Sequence, residues 1–274
     1  MRTQAEKAAV FAALHQQGCF VIPNPWDRGS ARLLAALGFH ALTTTSAGYA
    51  RSLGVADYNA GREHVLAHIR DLAAATDLPL AADLENGFGD DPQTCAETIA
   101  LSAEAGLVGG SIEDASGDDA NPIYDIGHAT ERMCAAAEAA RALDFPFMLV
   151  ARCENYLHGR RDLKDTIARL QAYQDAGADV LYAPGLSTAE DIRTVCRAVD
   201  RPVNVLGGLG AHPLSVAELA ALGVRRVSLG SFLHSAAMTA FVRAAEAVKA
   251  GGFGFVADLI PGSEIDQLLE AGEA

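Results

Sequence analysis

Several things are missing from this sequence, and each absence narrows what the protein can do. No run of about 18 apolar residues, the length a membrane-spanning helix needs, is present. The opening stretch MRTQAEKAAVFAALHQQG reads as an amphipathic helix without the apolar centre of a signal peptide. A cytoplasmic location with no membrane partner is therefore expected. Basic residues are scarce: 21 Lys and Arg stand against 35 Asp and Glu, for a net charge of -14. That balance argues against nucleic acid or an anionic membrane as partner. It still permits a small anionic substrate, because a cation and one well-placed arginine can reverse the field locally. The five cysteines (Cys19, Cys95, Cys134, Cys153 and Cys196) are odd in number and form no C-x-x-C pair, so reduced thiols are expected. No P-loop, dinucleotide-binding glycine fingerprint or G-x-S-x-G elbow occurs.

What is present is a repeat. AALGFHALTTTS (35–46), AEAGLVGGSIED (103–114), QDAGADVLYAPG (174–185) and AALGVRRVSLGS (220–231) share one order: a helix end, a glycine, one or two residues, then a strand. Glycine just past a helix takes the left-handed conformation cheaply and turns the chain into the next strand. Apolar runs at Cys19–Pro23, Leu80–Leu84, Phe147–Ala151 and Val203–Leu206 supply four more strands. Amphipathic stretches at Ala60–Ala75, Asp91–Ala105, Ala129–Leu143, Leu163–Ala176 and Thr188–Val199 read as helices between them. Eight such units at roughly 30-residue intervals predict an α/β fold, a (β/α)8 TIM-type barrel. No linker or break in composition interrupts it, so one domain over 1–274 is expected, with a helical appendage from about 250 to 274. The apolar face of that appendage suits either a partner subunit or its own barrel.

In such barrels the site lies at the carboxyl ends of the strands. The stretch LAADLENGFG (80–89) delivers Asp83 and Glu85 there, two residues apart and so on one side of a strand. GGSIED (109–114) delivers Glu113 and Asp114, and the fifth strand ends in Arg152 and Glu154. Acids crowded at neighbouring strand ends either cap turns or hold a hard cation such as Mg2+ or Mn2+. Asn24, Trp26 and Asp27 end the first strand, the small-residue turn Thr45, Ser46, Ala47 and Gly48 the second, Tyr182 and Pro184 the sixth, and Asn204 the seventh. Three or four acids, one arginine and a turn open to close backbone approach suit an α-keto carboxylate chelated to a divalent ion.

In order, NPWDRGSARLLAALGFHALTTTSAG, SLGVAD, ADLENGFG, SIED, the Ala151-Arg152 pair and AGAD resemble the isocitrate lyase and phosphoenolpyruvate mutase superfamily over about residues 20–235. The resemblance implies a (β/α)8 barrel whose last helix is exchanged between subunits, usually in a homotetramer built as a dimer of dimers. It implies a Mg2+ site (Mn2+ being possible) drawing on Asp57, Asp83, Glu85 and Glu113, many of the contacts running through water. It also implies that Thr45, Ser46 and Ala47 hold the substrate carboxylate, and that Arg152 stabilises an enolate. On this reading Arg152, Asp57 and Glu113 are the catalytic residues, with Asn204 and Tyr49 among those that bind substrate. The activity implied is a Mg2+-dependent carbon–carbon lyase or decarboxylase acting on a small α-keto or hydroxy carboxylate. Phosphonopyruvate or phosphoenolpyruvate chemistry at a P–C bond is one alternative, and a keto-acid-binding protein without turnover is another.

The departures bear on the reaction. Where the family's lyases carry a K-K-C-G-H segment after strand 4, this chain reads ASGDDANPIYD (115–125), without cysteine, lysine or histidine. After strand 6 it has YAPGL in place of a glutamate, and after strand 7 it keeps Asn204 but places Leu206 where a threonine is expected. The phosphonate-processing members carry a lysine or asparagine on the strand-4 loop, which Asn121 matches, and a histidine after strand 6, which is missing. Tyr49 or Tyr182 could donate a proton in place of the absent cysteine. His64 and His68, four apart, are expected to be exposed helix histidines, Cys153 a packing thiol, His158 a solvated loop residue, and Ser231 the N-cap of the last barrel helix.

Overall fold

The computed structural model describes residues 2–273. Eight strands form one parallel sheet: β1 (Phe20–Ile22), β2 (Leu42–Thr43), β3 (Leu80–Asp83), β4 (Gly109–Glu113), β5 (Met148–Arg152), β6 (Val180–Tyr182), β7 (Val203–Leu206) and β8 (Arg226–Ser228). From β2 onward each strand pairs with the one next in sequence, and β1 pairs with β8. The sheet is therefore the expected (β/α)8 barrel, nearly closed. The seam between β1 and β2 carries no ladder. It is held by Thr43 N–H donating to the Pro23 carbonyl at 3.1 Å and by Asn24, whose Nδ2 donates to the Thr44 carbonyl at 2.8 Å while its Oδ1 accepts from Leu229 N–H at 2.9 Å. One buried amide thus ties β1 to both of its neighbours.

The helices between strands are α2 (Arg28–Ala36), α3 (Ser46–Ser52), α4 (Arg62–Ala73), α5 (Pro92–Glu104), α6 (Ile126–Arg141), α7 (Leu163–Asp175), α8 (Ala189–Ala198) and α9 (Val216–Ala221). Side-chain caps fix most of their starts, for example Asp91 before α5, Asp125 before α6 and Asp162 before α7. Asp125 begins α6 one turn earlier than its apolar pattern indicates. Between sheet and helices lies the main core, which includes Leu66, Ile69, Leu84, Ile99, Ile112, Leu149 and Val195. Cys95 and Cys153 are buried in it as packing thiols, and burial pushes both pKa values up.

Helix α1 (Gln4–Leu14) closes the amino-terminal end of the barrel, burying Ala8 and Phe11 against Ile22, Ala41, Ala81 and Val108. The insertion depends on Gly109, where an added Cβ would stand 2.8 Å from the Phe11 ring and 2.8 Å from the Met148 carbonyl oxygen. A fully buried Phe contributes roughly 1.5–3 kcal/mol. The lower end is thus plugged, and the open mouth lies at the carboxyl ends of the strands. Beyond β8, α10 (Phe232–Lys249) leaves the barrel with only His234 buried, and α11 (Gly262–Ala271) returns to pack on α2.

Candidate active site

At the barrel mouth lies a pocket of about 170 Å3, whose walls include Asn24, Thr44, Thr45, Ser46, Ala47, Asp57, Asp83, Ser111, Arg152 and Tyr182. The size suits a small metabolite rather than a drug-sized ligand. Arg152 is its electrostatic centre. The β4–β5 register sets Glu113 directly beside Arg152, and Nη1 lies 3.1 Å from Glu113 Oε2 and 3.2 Å from Asp83 Oδ1. Nε donates to Glu154 Oε1. Burial alone would weaken the guanidinium's hold on its proton, but Glu113, Glu154 and Asp83 more than reverse that.

The carboxylates outnumber this one cation. Burial raises the pKa of Glu113 well above the ordinary range despite Arg152, and burial raises Glu154 as well. Asp57, on the loop after α3, is raised by burial and by Asp83. Glu85, 4% exposed, is pushed up to about 8 by burial and by Asp83 and Asp57. Its Oε1 is buried without a hydrogen-bond partner.

Glu85 does not follow the alternation expected of it. The strand ends at Asp83, which lines the pocket; Glu85 then has φ 51 and Phe88 φ 62, both in the left-handed region. Such backbone persists only when its surroundings enforce it. The enforcing residue is Arg132 of α6, fully buried, whose guanidinium donates to the carbonyls of Asn86, Gly89 and Asp90 and lies 4.5 Å from the Tyr124 ring centroid. Asp114 gives comparable support at the end of the next strand. It accepts from Glu154 N–H (2.7 Å), Arg169 Nη1 (3.0 Å) and the Tyr173 hydroxyl (2.6 Å), and so anchors the loop after β5.

The pocket therefore brings together Thr45, Ser46, Ala47, Asp57, Asp83 and Arg152, with Glu85 and Glu113 packed behind it. Ser46 Oγ donates to Asp83 Oδ2 at 3.1 Å. The expected turn after β2 is the start of α3, with Thr45 as its N-cap. As the side chains stand, among the described residues no three His, Cys, Asp or Glu are arranged around one point that could hold a metal. Arg152 occupies the centre between Asp83 and Glu113 instead. The chemistry of the donor set nevertheless fits a hydrated divalent cation: five carboxylates cluster around Arg152, and Glu85 Oε1 and Glu113 Oε2 are buried without a hydrogen-bond donor.

Other expectations are corrected. Tyr49 does not line the pocket: its hydroxyl donates to the His64 carbonyl at 3.1 Å and its ring stacks on His68 at 3.8 Å. His68 is consequently buried rather than exposed, and burial lowers its pKa to about 4. Asn204 lies beneath the pocket rather than in its wall; its Nδ2 donates to Ser228 Oγ at 3.0 Å and its Oδ1 accepts from Arg226 Nε at 2.9 Å. Asn121 sits on the far side of a loop closed by an Ala115–Ile123 bridge and faces a separate surface hollow with Asp118 and Tyr124. Ser231 precedes α10 but makes no capping hydrogen bond; it lines the pocket. His64 and His158 are exposed, as expected. Sequence reasoning missed Tyr58, whose hydroxyl donates to Glu113, and Arg226, which lines the pocket from β8.

Known proteins resemble this chain over most of its length. A model of the family described as phosphoenolpyruvate phosphomutase matches residues 11–249. A provisionally named lyase/mutase of solved structure from Burkholderia cenocepacia J2315 is 60% identical, with a TM-score of 0.95 and 97% of each chain covered. An oxaloacetate decarboxylase from Paraburkholderia xenovorans is 28% identical over 94% of this chain and 86% of its own. A phosphonopyruvate hydrolase solved with oxalate and Mg2+ is 26% identical, with a TM-score of 0.84, covering 96% of this chain and 95% of its own. The chain belongs to the phosphoenolpyruvate phosphomutase family, within the isocitrate lyase and phosphoenolpyruvate mutase superfamily of lyases and mutases.

Proposed function

We propose that this chain cleaves a carbon–carbon bond, or decarboxylates, in a small α-keto or hydroxy carboxylate. The observation that carries this reading is the pocket itself: Arg152, held by three carboxylates, shares one small cavity with Asp57, Asp83 and the Thr45–Ser46–Ala47 turn. Ser46 and Ala47 open α3, where the first N–H groups lack intrahelical acceptors and can donate to a substrate carboxylate. Arg152 presents fixed positive charge beside the keto oxygen, where negative charge accumulates as the bond breaks. Tyr182 lines the same pocket, and burial pushes its pKa up to about 12, so it stays protonated at neutral pH and can deliver a proton to the carbon left behind. Asp57 and Asp83 at the wall, with Glu85 and Glu113 behind them, would hold Mg2+ or Mn2+ through water, and the ion would add positive charge beside the keto acid.

Asp83→Ala tests the reading. Divalent-dependent turnover of oxaloacetate or a related keto acid should be lost while the melting temperature of the metal-free protein is kept. A fully active variant would overturn the assignment. Release of inorganic phosphate from phosphonopyruvate, with no turnover of keto acids, would move the reaction to the P–C bond.

Among the described residues no helix is long and apolar enough to cross a membrane. The apolar surface that does exist lies on α10 and the segment after it: Phe241 and Phe253 are each 66% exposed, and Val256, Leu259 and Ile260 are also exposed. A second copy of this chain covering that face, in a homotetramer with exchanged helices, accounts for it. Sedimentation at micromolar concentration should show a tetramer, and a monomer would sink the assembly proposed here.

A further inference from the structure

The pocket contains a second arginine, and its charge is unanswered. Arg226, on β8, is 3% exposed and lines the pocket floor with Ser228 and Tyr182. Its Nε donates to Asn204 Oδ1 at 2.9 Å, and its Nη1 is buried with no hydrogen-bond partner. Among the described residues no carboxylate pairs with it, whereas Arg152 has three. The polar groups near it, Asn204, Ser228, Tyr182 and His15, are all uncharged at neutral pH, the His15 imidazole because burial, and then Arg226 itself, lower its pKa to about 3. Burial without an anion lowers its pKa to about 10, an effect that the neighbouring Tyr182 only partly offsets.

A buried, unpaired guanidinium is strongly unfavourable, and one left so at the floor of a binding pocket is poised to gain an anion. Orientation is built in as well. Asn204 holds Nε through its Oδ1 and is itself held by donating its Nδ2 to Ser228 Oγ at 3.0 Å. Tyr182 borders both arginines, its ring centroid 5.6 Å from Arg152 Cζ. The pocket thus has a saturated cation at its acidic wall and an unsaturated one at its floor. Both arginines and the Thr45–Ala47 turn line the same small cavity.

We infer that Arg226 is an anion-binding subsite that takes the distal carboxylate of the substrate, so that the enzyme selects keto dicarboxylates over keto monocarboxylates. Resting on the function proposed above, this names a substrate class and the residue that selects it. Asn204 then acts as a positioning residue for Arg226.

The test is calorimetric titration of the full-length protein with oxaloacetate, succinate and pyruvate, for wild type, Arg226→Met and Arg226→Lys. Wild type should bind oxaloacetate at least about tenfold more tightly than pyruvate, the scale expected of one buried charge pair. Arg226→Met should erase that ratio, and Arg226→Lys should restore some of it. Succinate, which has no keto group, reads the subsite without the chemistry: measurable succinate binding that Arg226→Met abolishes supports the subsite even if no keto acid is turned over. Equal loss of oxaloacetate and pyruvate affinity in a folded Arg226→Met protein would assign Arg226 a structural role and overturn the inference. So would a wild type with no preference for any dianion, which decides the matter even if neither variant folds. Lost turnover in Asp83→Ala together with an unchanged dicarboxylate preference in Arg226→Met would leave the lyase reading standing and this one refuted.

Discussion

Glu85→Gln probes the crowded carboxylates most directly, because it keeps the shape of the side chain and removes its ability to ionise. Glu85 is 4% exposed, and its pKa is pushed from the ordinary 4.5 up to about 8. Between those values the folded state binds more protons than the unfolded chain, so stability falls as pH rises. The contribution is complete below pH 4.5 and gone above pH 8. At pH 7 the gap is ~2.5 pH units, and at about 1.4 kcal/mol per unit it sets an upper limit of about 3 kcal/mol on what the metal-free wild type loses and the glutamine variant does not. Calorimetry in chelator at pH 5, 7 and 8 should show little difference at the lowest pH. At pH 7 and 8 the variant should melt several degrees higher, since 1 kcal/mol shifts the melting temperature by about 2–4 °C for a chain of this size. Added Mg2+ should then raise the wild type more than the variant, which has lost one oxygen donor. A difference of constant size across pH, or a variant less stable throughout, would mean that Glu85 is held ionised by a partner and would refute the argument.

Two other substitutions test the remaining roles. Tyr182→Phe should lower kcat by about 10²-fold or more with little change in KM if its phenol delivers the proton; activity within twofold of wild type in steady-state assays would give that proton to water. Arg132→Met leaves three loop carbonyls without their donor, and should cost roughly 3 kcal/mol or more in urea denaturation and weaken Mg2+ binding through the loosened Glu85 turn. An unchanged midpoint would show that the loop holds its own shape.

The residues that were legible in the sequence are those whose meaning is local. A glycine after α2, α5, α7 and α9 marked the next strand, apolar runs marked the others, and the strands were found within a residue or two because period and turn chemistry are written along the chain. Asp83, Glu113 and Arg152 could be placed at the mouth because a strand's carboxyl end is a position in sequence. Glu85 was found as a residue but not in its geometry, since the left-handed turn after Asp83 is imposed by Arg132, 47 positions further along the chain. Tyr49 and His68 were misread for a related reason: each completes a stacked pair across α3 and α4 that neither helix announces alone. Tyr58 lies beside Asp57 in the chain, yet nothing local says that its hydroxyl reaches Glu113.

Arg226 marks the division most clearly. Arg225 and Arg226 stand together in an otherwise apolar strand, so the sequence says that one of two adjacent arginines faces the barrel interior and not which one. Register decides it: β8 aligns Arg226 with Asn204 of β7 and Phe20 of β1, so Arg226 is buried, while Arg225 donates to the Gly18 carbonyl at the surface. By itself the sequence determined the eightfold repeat, the acidic rim and the single arginine at the end of β5, because hydrophobic period and turn residues act over a few positions. Only the tertiary structure decided which carboxylates surround Arg152, which tyrosine meets the pocket and where an unpaired cation sits, because those depend on contacts between strands distant in sequence.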